Sequence, residues 1–208
     1  YNYLEILTHI THSETVLVMR VFIAVLVLIF SFQSWTKADD IRDFEIEGMS
    51  IGDSALDFFS EQDIKNNSKD YYRDKTFTPV QNDEYPFFKT YDAVDFNFKT
   101  GDKKYVFQNI NGILFYDNNI QDCYKKMDSI TNDIEANLKY LKKHIKQVFT
   151  HPADKTGKSK FTQTRFDLRD GYMLIICYDY SVDHGSQDHL SVSIDTKEFN
   201  DWVIGGIY

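Results

Sequence analysis

The chain has 208 residues, of which 42% are hydrophobic and 16% aromatic, and this is enough apolar material to build a folded core. The composition excludes a wholly disordered protein, and the length fits one domain without demanding two. Acidic residues outnumber basic ones by 32 to 23, so the formal net charge is -9. Because a nucleic-acid partner needs a positive surface to hold its phosphates, we expect no nucleic acid among the partners.

The amino-terminal region contains a segment typical of a secretory signal peptide. Met19 and Arg20 precede an uncharged apolar run, VFIAVLVLIFSF, at residues 21–32. The small residues Thr36 and Ala38 then occupy the two positions that a signal peptidase requires. This pattern predicts cleavage after Ala38.

The domain organisation follows from that cleavage site. We interpret residues 1–18 as upstream translation, 19–38 as the signal peptide and 39–208 as a single α+β domain that is periplasmic or secreted. The alternative is an uncleaved membrane anchor at residues 16–32, since this stretch reaches the lower limit of about 17 residues for a spanning helix. The protein would contact a membrane only in that alternative.

A short helix is predicted near the start of this domain. Residues 43–48 alternate as a short strand does, and Ser50 with Asp53 resembles a capping box that begins a helix. The polar residues 61–86 follow and predict a long connection.

Three antiparallel strands are predicted next. Residues 92–98 alternate between apolar and polar side chains, which indicates a half-buried strand. Residues 104–110 form the second predicted strand, and the pair Asn111-Gly112 is typical of a two-residue hairpin turn. Residues 113–117 complete the predicted three-strand meander.

Residues 119–149 predict a long amphipathic helix. Apolar residues recur every seven positions in one row and fill a neighbouring row between them. The two rows are Ile120, Met127, Ile134, Leu141 and Val148, and Cys123, Ile130, Leu138 and Ile145. One continuous apolar stripe of this length indicates a helix laid across a sheet.

A second set of three strands is predicted in the carboxyl-terminal part. The strands are expected over residues 160–168, 172–180 and 189–195, with a tight turn at 170–171 and Asp195 as the cap of a closing helix. The predicted fold is therefore α+β, with tandem helix-plus-antiparallel three-strand meander units and the long amphipathic helix packed on the sheet.

Residues 152–159, PADKTGKS, match the phosphate-binding loop G-x-x-x-x-G-K-[ST] at all but the first position, where Pro152 replaces glycine. That loop must follow a strand and begin a helix, so that backbone N–H groups and the helix dipole meet the phosphate. Here a predicted helix precedes and a predicted strand follows. We therefore expect a solvated turn and no nucleotide.

The densest group of potential metal ligands lies in the loop at residues 179–189. Asp183, His184, Asp188 and His189 carry the carboxylate and imidazole groups that divalent metals bind. Their spacing matches no recognised ligand motif, so we expect a solvated loop, no metal and no cofactor. A metal-dependent hydrolase that uses this Asp/His loop is the alternative.

One strand face carries His189, Ser191, Ser193 and Asp195, which are the residue types of a hydrolase triad. Residues two apart on a strand are separated by about 6.5–7 Å, which is too far for direct hydrogen bonds from backbone position alone. The chain also lacks a G-x-S-x-G elbow. We therefore predict no catalytic residue.

The two cysteines, Cys123 and Cys177, allow two interpretations. An even number of cysteines in an exported chain permits a disulfide. Two buried thiols that pack as small hydrophobic groups are the alternative. Sequence does not align side chains across a gap, so both interpretations stay open.

Four stretches of the chain carry a resemblance to a known group of proteins. They are DDIRDFEIEGMSIGDSALDFFSE, CYKKMD, HPADKTGKS and DHLSVSI. Together they resemble a family of small exported proteins from marine alphaproteobacteria, over residues 19–208. The resemblance implies export and a single domain of this length, and it transfers no functional residue.

A shorter resemblance concerns Gly48-Met49-Ser50 before a helix and a meander. It is similar to outer-membrane assembly lipoproteins of the BamE type and to beta-lactamase-inhibitor proteins, both of which are binding scaffolds.

These observations lead us to expect an exported envelope protein that is a non-enzymatic protein- or ligand-binding module. Its partner would be an unknown envelope protein or a small ligand on the sheet surface. Tyr172, Tyr178 and Tyr180 share one strand face, and tyrosine side chains suit interfaces. Core packing of these tyrosines is the alternative.

Overall fold

The computed structural model describes residues 39–82, 88–116 and 119–206. The predicted upstream segment, signal peptide and anchor at 16–32 lie outside these residues. The fold is α+β and consists mostly of antiparallel sheet, as predicted. Among the helices described, none is long and apolar enough to cross a membrane.

The elements of the described residues follow one another in this order. The strands are β1 (Glu45–Ile46), β2 (Met49–Ser50), β3 (Phe77–Asn82), β4 (Ala93–Lys99), β5 (Phe107–Phe115), β6 (Lys142–Thr150), β7 (Lys160–Leu168), β8 (Gly171–Asp179) and β9 (His189–Thr196), and the helices are α1 (Glu61–Asn67), α2 (Ile120–Asn137) and α3 (Lys197–Ile204). Short 3-10 turns lie at Ile41–Asp43, Ala55–Asp57 and Val182–His184.

Seven strands form one antiparallel sheet in the order β3-β4-β5-β9-β8-β7-β6, and β1 pairs with β2 in a small separate sheet. Strands β3 to β5 form one meander and β6 to β9 form another. The antiparallel pairing of β5 with β9 joins the two meanders. The strands predicted at residues 160–168, 172–180 and 189–195 are present as β7, β8 and β9.

The core lies on one face of this sheet. Phe96, Ile110, Ile194, Met173 and Phe166 lie in register across five neighbouring strands, and each is at most 1% exposed. Helix α2 packs over β8 and β9 on this face. The apolar side of an 18-residue amphipathic helix thus covers the alternate apolar residues of the strands.

The prediction of a helix over 119–149 is wrong beyond residue 137. Helix α2 ends at Asn137, and residues 142–150 form the edge strand β6, which pairs with β7. Ile145 and Val148 belong to the predicted apolar stripe, but they are 84% and 67% exposed. This segment contains β-branched and aromatic residues, which favour a strand. Its backbone pairs with the neighbouring strand β7, whereas the apolar residues of the predicted helical stripe would face no core surface here.

The predicted hairpin at Asn111-Gly112 is also wrong. Both residues lie inside β5, where Gly112 is opposite Val94 on one side and Val192 on the other. A Cβ atom at Gly112 would lie 2.6 Å from the ring of Tyr91. The glycine therefore makes room for a packed ring and does not form a turn.

No helix begins at Ser50, which lies in β2. The Asp53 carboxylate does accept the Ser50 N–H at 3.0 Å, as in a capping box, but it closes a tight turn. Gly52 has a φ of +98°, which is incompatible with a continuing helix. The helical segments that follow are capped instead by Ser54 and Ser60.

Two further predictions need correction. The long connection expected over 61–86 contains α1 and the edge strand β3. Asp195 does not cap the closing helix, because the Thr196 side chain accepts the Phe199 N–H at 3.1 Å. Asp195 is instead buried on the second face of the sheet.

Candidate functional site

The face of the sheet opposite α2 carries a row of polar residues on its central strands, beside the buried apolar residues Leu174 and Ile176 of β8. Because side chains alternate along a strand, the apolar rows of β5 and β9 leave polar residues on this second face. Asn109 lies opposite Asp195, and Asn111 lies opposite Ser193. Asn109, Ser191, Ser193 and Asp195 are all buried. A row of buried polar side chains requires partners within the protein.

A hydrogen-bond network around Asp195 provides those partners under α3. The Asp195 carboxylate accepts hydrogen bonds from Asn109 Nδ2 at 2.6 Å, from Ser193 Oγ and from the Asn200 side chain. Asn97 Nδ2 donates in turn to Asn109 Oδ1 at 2.8 Å. Burial raises the pKa of Asp195 to about 6, and the three hydrogen bonds oppose this rise. The network links β4, β5 and β9 to α3 and so positions that helix.

An open cleft of about 520 Å³ lies next to this network on the same face. Side chains of the sheet line it with hydrogen-bonding groups, namely Gln81, Asp95, Asn111 and Ser191. Tyr71 and Tyr72, in the segment that follows α1, line it with aromatic rings. Further rings come from Phe115 of β5, from Tyr178 of β8 and from the loops next to these strands. The cleft therefore combines ring surfaces with amide, hydroxyl and carboxylate groups.

A cluster of rings forms one part of the cleft lining. Tyr178 and Tyr180 lie two residues apart on one strand face, with ring centroids 5.9 Å apart. Strand pairing places His189 opposite Tyr178, at 4.7 Å, and His184 stacks on Tyr180 at 4.8 Å. His151 joins them from the β6–β7 loop, 5.2 Å from Tyr180.

Two imidazoles of this cluster are held in the neutral form. Burial lowers the pKa of His151, and the neighbouring His184 and His189 lower it further. Burial likewise lowers the pKa of His189, against the effect of its hydrogen bond to the Gln187 carbonyl. At neutral pH both rings are uncharged, so each offers one donor and one acceptor nitrogen.

The four candidate metal ligands do not converge. The Asp183 carboxylate pairs with Lys158 at 2.8 Å, and Asp188 Oδ1 accepts the N–H of residue 180 at 2.8 Å. His184 Nδ1 lies 3.0 Å from a serine hydroxyl, and His189 Nδ1 donates to a backbone carbonyl at 3.0 Å. Within the described ranges, no group of three His, Cys, Asp or Glu side chains could hold a metal ion.

The triad-like residues share a strand face but are engaged separately. Ser193 donates to Asp195 beneath α3, whereas His189 lies in the ring cluster of the cleft. The Ser191 hydroxyl donates to Asn111 Oδ1 at 3.3 Å. Both serines thus donate to an amide or carboxylate oxygen and not to an imidazole.

The loop at residues 152–159 binds its own carboxylate. Asp154 accepts the N–H groups of Thr156 and Ser159, each at 2.8 Å, and both hydroxyls at 2.7 and 2.6 Å. These hydrogen bonds, chiefly that from the Ser159 side chain, hold the pKa of Asp154 well below its usual range. The donors that would surround a phosphate in a nucleotide-binding loop point here at an internal anion.

The two cysteines lie on the other side of the sheet. Cys123 of α2 and Cys177 of β8 form a disulfide, with their Cα atoms 6.0 Å apart. Both residues are fully buried. Of the two interpretations that the sequence leaves open, the structure has the disulfide, which ties α2 to the apolar face.

Sequence patterns do not predict His151, Asp95, Tyr71 and Tyr72 as site residues. These residues come from separate segments, and the tertiary structure places all four in the lining of the cleft. Only the alternation along β4 carried a usable signal, because it places Asp95 on the polar face.

No protein-family model, no curated protein and no solved structure matches this chain. The fold and the site define an α+β protein with a cleft on the polar face of one antiparallel sheet.

Proposed function

We propose that this protein is an exported, non-enzymatic module that binds a small molecule in the cleft on the polar face of its sheet. The observation that carries the proposal is the meeting of aromatic rings and hydrogen-bonding side chains around one cleft of about 520 Å³. Ligand sites are typically clefts of about 300–1,000 Å³ whose apolar walls carry a few well-placed polar groups.

The hydrogen bonds of the cleft favour binding over catalysis. A serine nucleophile requires an adjacent base to accept its proton. The Ser191 hydroxyl donates instead to the amide oxygen of Asn111, which is not a base. His189 donates its Nδ1 proton to a backbone carbonyl, and this hydrogen bond holds the ring in the lining of the cleft.

The scaffold supports a preformed site. Asp95 and Asn111 belong to the first meander, and Ser191 and Tyr178 belong to the second. We propose that the tandem helix-plus-meander plan serves to build this cleft where the two meanders join. Side chains held on paired strands keep their positions better than side chains on loops, and this lowers the cost of ordering them around a ligand.

Export is the second part of the proposal. It is supported by the apolar run at residues 21–32 and by the disulfide, a bond that persists in oxidising compartments. We expect expression of residues 19–208 in a Gram-negative host to yield a periplasmic chain that begins at Asp39. Amino-terminal sequencing measures this, and a membrane-retained chain that still begins at Met19 would support the anchor at 16–32 instead.

A blocking variant tests the cleft. We expect the small-molecule fraction of an envelope extract to shift the ¹H–¹⁵N resonances of cleft residues in the labelled protein. Gln81→Trp, which places a large ring at the half-exposed edge of the cleft, should abolish these shifts. Ser129→Trp, on the exposed side of α2, is the matched control and should leave them unchanged. Shifts that persist in Gln81→Trp would contradict the proposal.

A further inference from the structure

The charged group in the lining of the cleft is negative. Asp95 contributes a carboxylate, and none of the described residues that line the cleft is a Lys or Arg. The chain as a whole carries a formal charge of -9, which adds to the negative field. His151 and His189 add no positive charge at neutral pH, since burial lowers their pKa values. An anionic ligand would thus meet repulsion without a cationic partner in this lining.

The aromatic lining favours positive charge. Tyr71 and Tyr72 line the cleft outside the cluster of tyrosine and histidine rings, and the face of an aromatic ring is electrostatically negative. A cation within about 6 Å of such a ring centroid is attracted to it. The same protein shows this contact elsewhere on the sheet, where the Arg165 guanidinium lies 4.8 Å from the Tyr172 ring centroid. The cleft presents tyrosines and a carboxylate without a lysine or arginine in its described lining.

Extending the proposed function, on which this inference rests, we infer that the cleft takes an organic cation, a small molecule with a substituted ammonium group. The ammonium group lies against the rings of Tyr71 and Tyr72 and beside the Asp95 carboxylate, which line the same cleft. The polar remainder of the ligand hydrogen-bonds with Asn111 and Ser191. A substituted ammonium spreads its charge over apolar methyl groups, which ring surfaces accept.

A bare metal cation does not fit the same lining. Metal ions require several oxygen, nitrogen or sulfur ligands that converge on one point. In the part of the chain that the structure describes, no such group of His, Cys, Asp or Glu exists. The combination of rings and one carboxylate therefore selects an organic cation over an inorganic one.

Choline and its neutral isostere 3,3-dimethylbutan-1-ol test the inference, because they differ only in the charged nitrogen. Calorimetric titration of the protein purified from expression of the full chain should show choline binding at least about tenfold more tightly than the isostere. Equal affinity, or tighter binding of the isostere or of glucose, would overturn the inference.

Two variants test whether the Asp95 carboxylate is the charge that binds choline. Asp95→Asn keeps the shape of the side chain and should weaken choline binding about tenfold, while leaving the isostere unchanged. Asp201→Asn removes the same charge from an exposed position on α3 and should alter neither affinity. Unchanged choline binding in a folded Asp95→Asn variant would overturn the inference. If that variant does not fold, the comparison of choline with its isostere on the unsubstituted protein decides.

Failure of this inference is distinguishable from failure of the proposed function. If choline does not bind but envelope extract still shifts the cleft resonances, the cleft binds a ligand of another class and the organic-cation inference is wrong. If neither choline nor the extract shifts them, the binding function itself is wrong.

Discussion

Replacing Asp195 by asparagine should remove a destabilisation that depends on pH. Burial beneath α3 raises the pKa of this carboxyl from 3.8 to about 6. Between about pH 4 and pH 6 the folded state therefore binds more protons at this site than the unfolded state does. The contribution of Asp195 to the free energy of unfolding is fully present below about pH 4 and is lost as the pH rises through 6.

The size of the effect follows from the two pKa values. A rise from 3.8 to about 6 corresponds to about 3 kcal/mol, since one pKa unit is about 1.36 kcal/mol. The substitution also replaces a carboxylate oxygen that accepts hydrogen bonds, and this costs about 1–3 kcal/mol at every pH. The lowered pKa values of His151 and His189 give the opposite slope over part of the same range. Both proteins share these histidines, so their difference isolates Asp195.

Urea unfolding followed by circular dichroism at pH 4, 5, 6 and 7 measures this difference. We expect the free energy of unfolding of the unsubstituted protein, minus that of Asp195→Asn, to fall by about 2.4 kcal/mol from pH 4 to pH 7. A difference that stays constant with pH would refute the reasoning, because the carboxyl would then titrate alike in both states. A difference that rises with pH would mean that the hydrogen bonds outweigh burial.

Three further experiments test the fold. Ile134→Asp, on the buried side of α2, should destabilise by about 3–5 kcal/mol, whereas Ile145→Asp at an 84% exposed position should change stability by less than about 0.5 kcal/mol; equal losses would indicate that α2 continues through β6. Alkylation without reductant should add no mass at Cys123 and Cys177, and two alkyl groups should appear after reduction; labelling before reduction would exclude the bond. Gly112→Ala should destabilise by about 1–3 kcal/mol in urea titrations, because its methyl group meets the ring of Tyr91, which packs against the core; an unchanged midpoint would contradict this packing.

The sequence placed part of the candidate site. Alternation put Tyr178 and Tyr180 on one strand face, and the structure finds them both in the cleft lining. The sequence also identified His184 and His189, but as candidate metal ligands. The structure places them in a ring cluster with Tyr178 and Tyr180. His151 had no signal beyond its place before a proline. Its position in the cleft depends on how β6 pairs with β7, which lies outside the reach of any local pattern.

The sequence by itself determined the α+β class and strands β7, β8 and β9, because alternation and turn residues act over a few neighbouring positions. The tertiary structure alone decided the state of residues 142–150 and of Gly112. Apolar residues at 142–150 satisfy a helical recurrence, but only the edge of β7 supplies the backbone partners that make them a strand. Gly112 satisfies a turn pattern, but only the ring of Tyr91 shows why a side chain is excluded. In both places long-range packing and backbone pairing outweigh a local preference worth at most about 1 kcal/mol per residue.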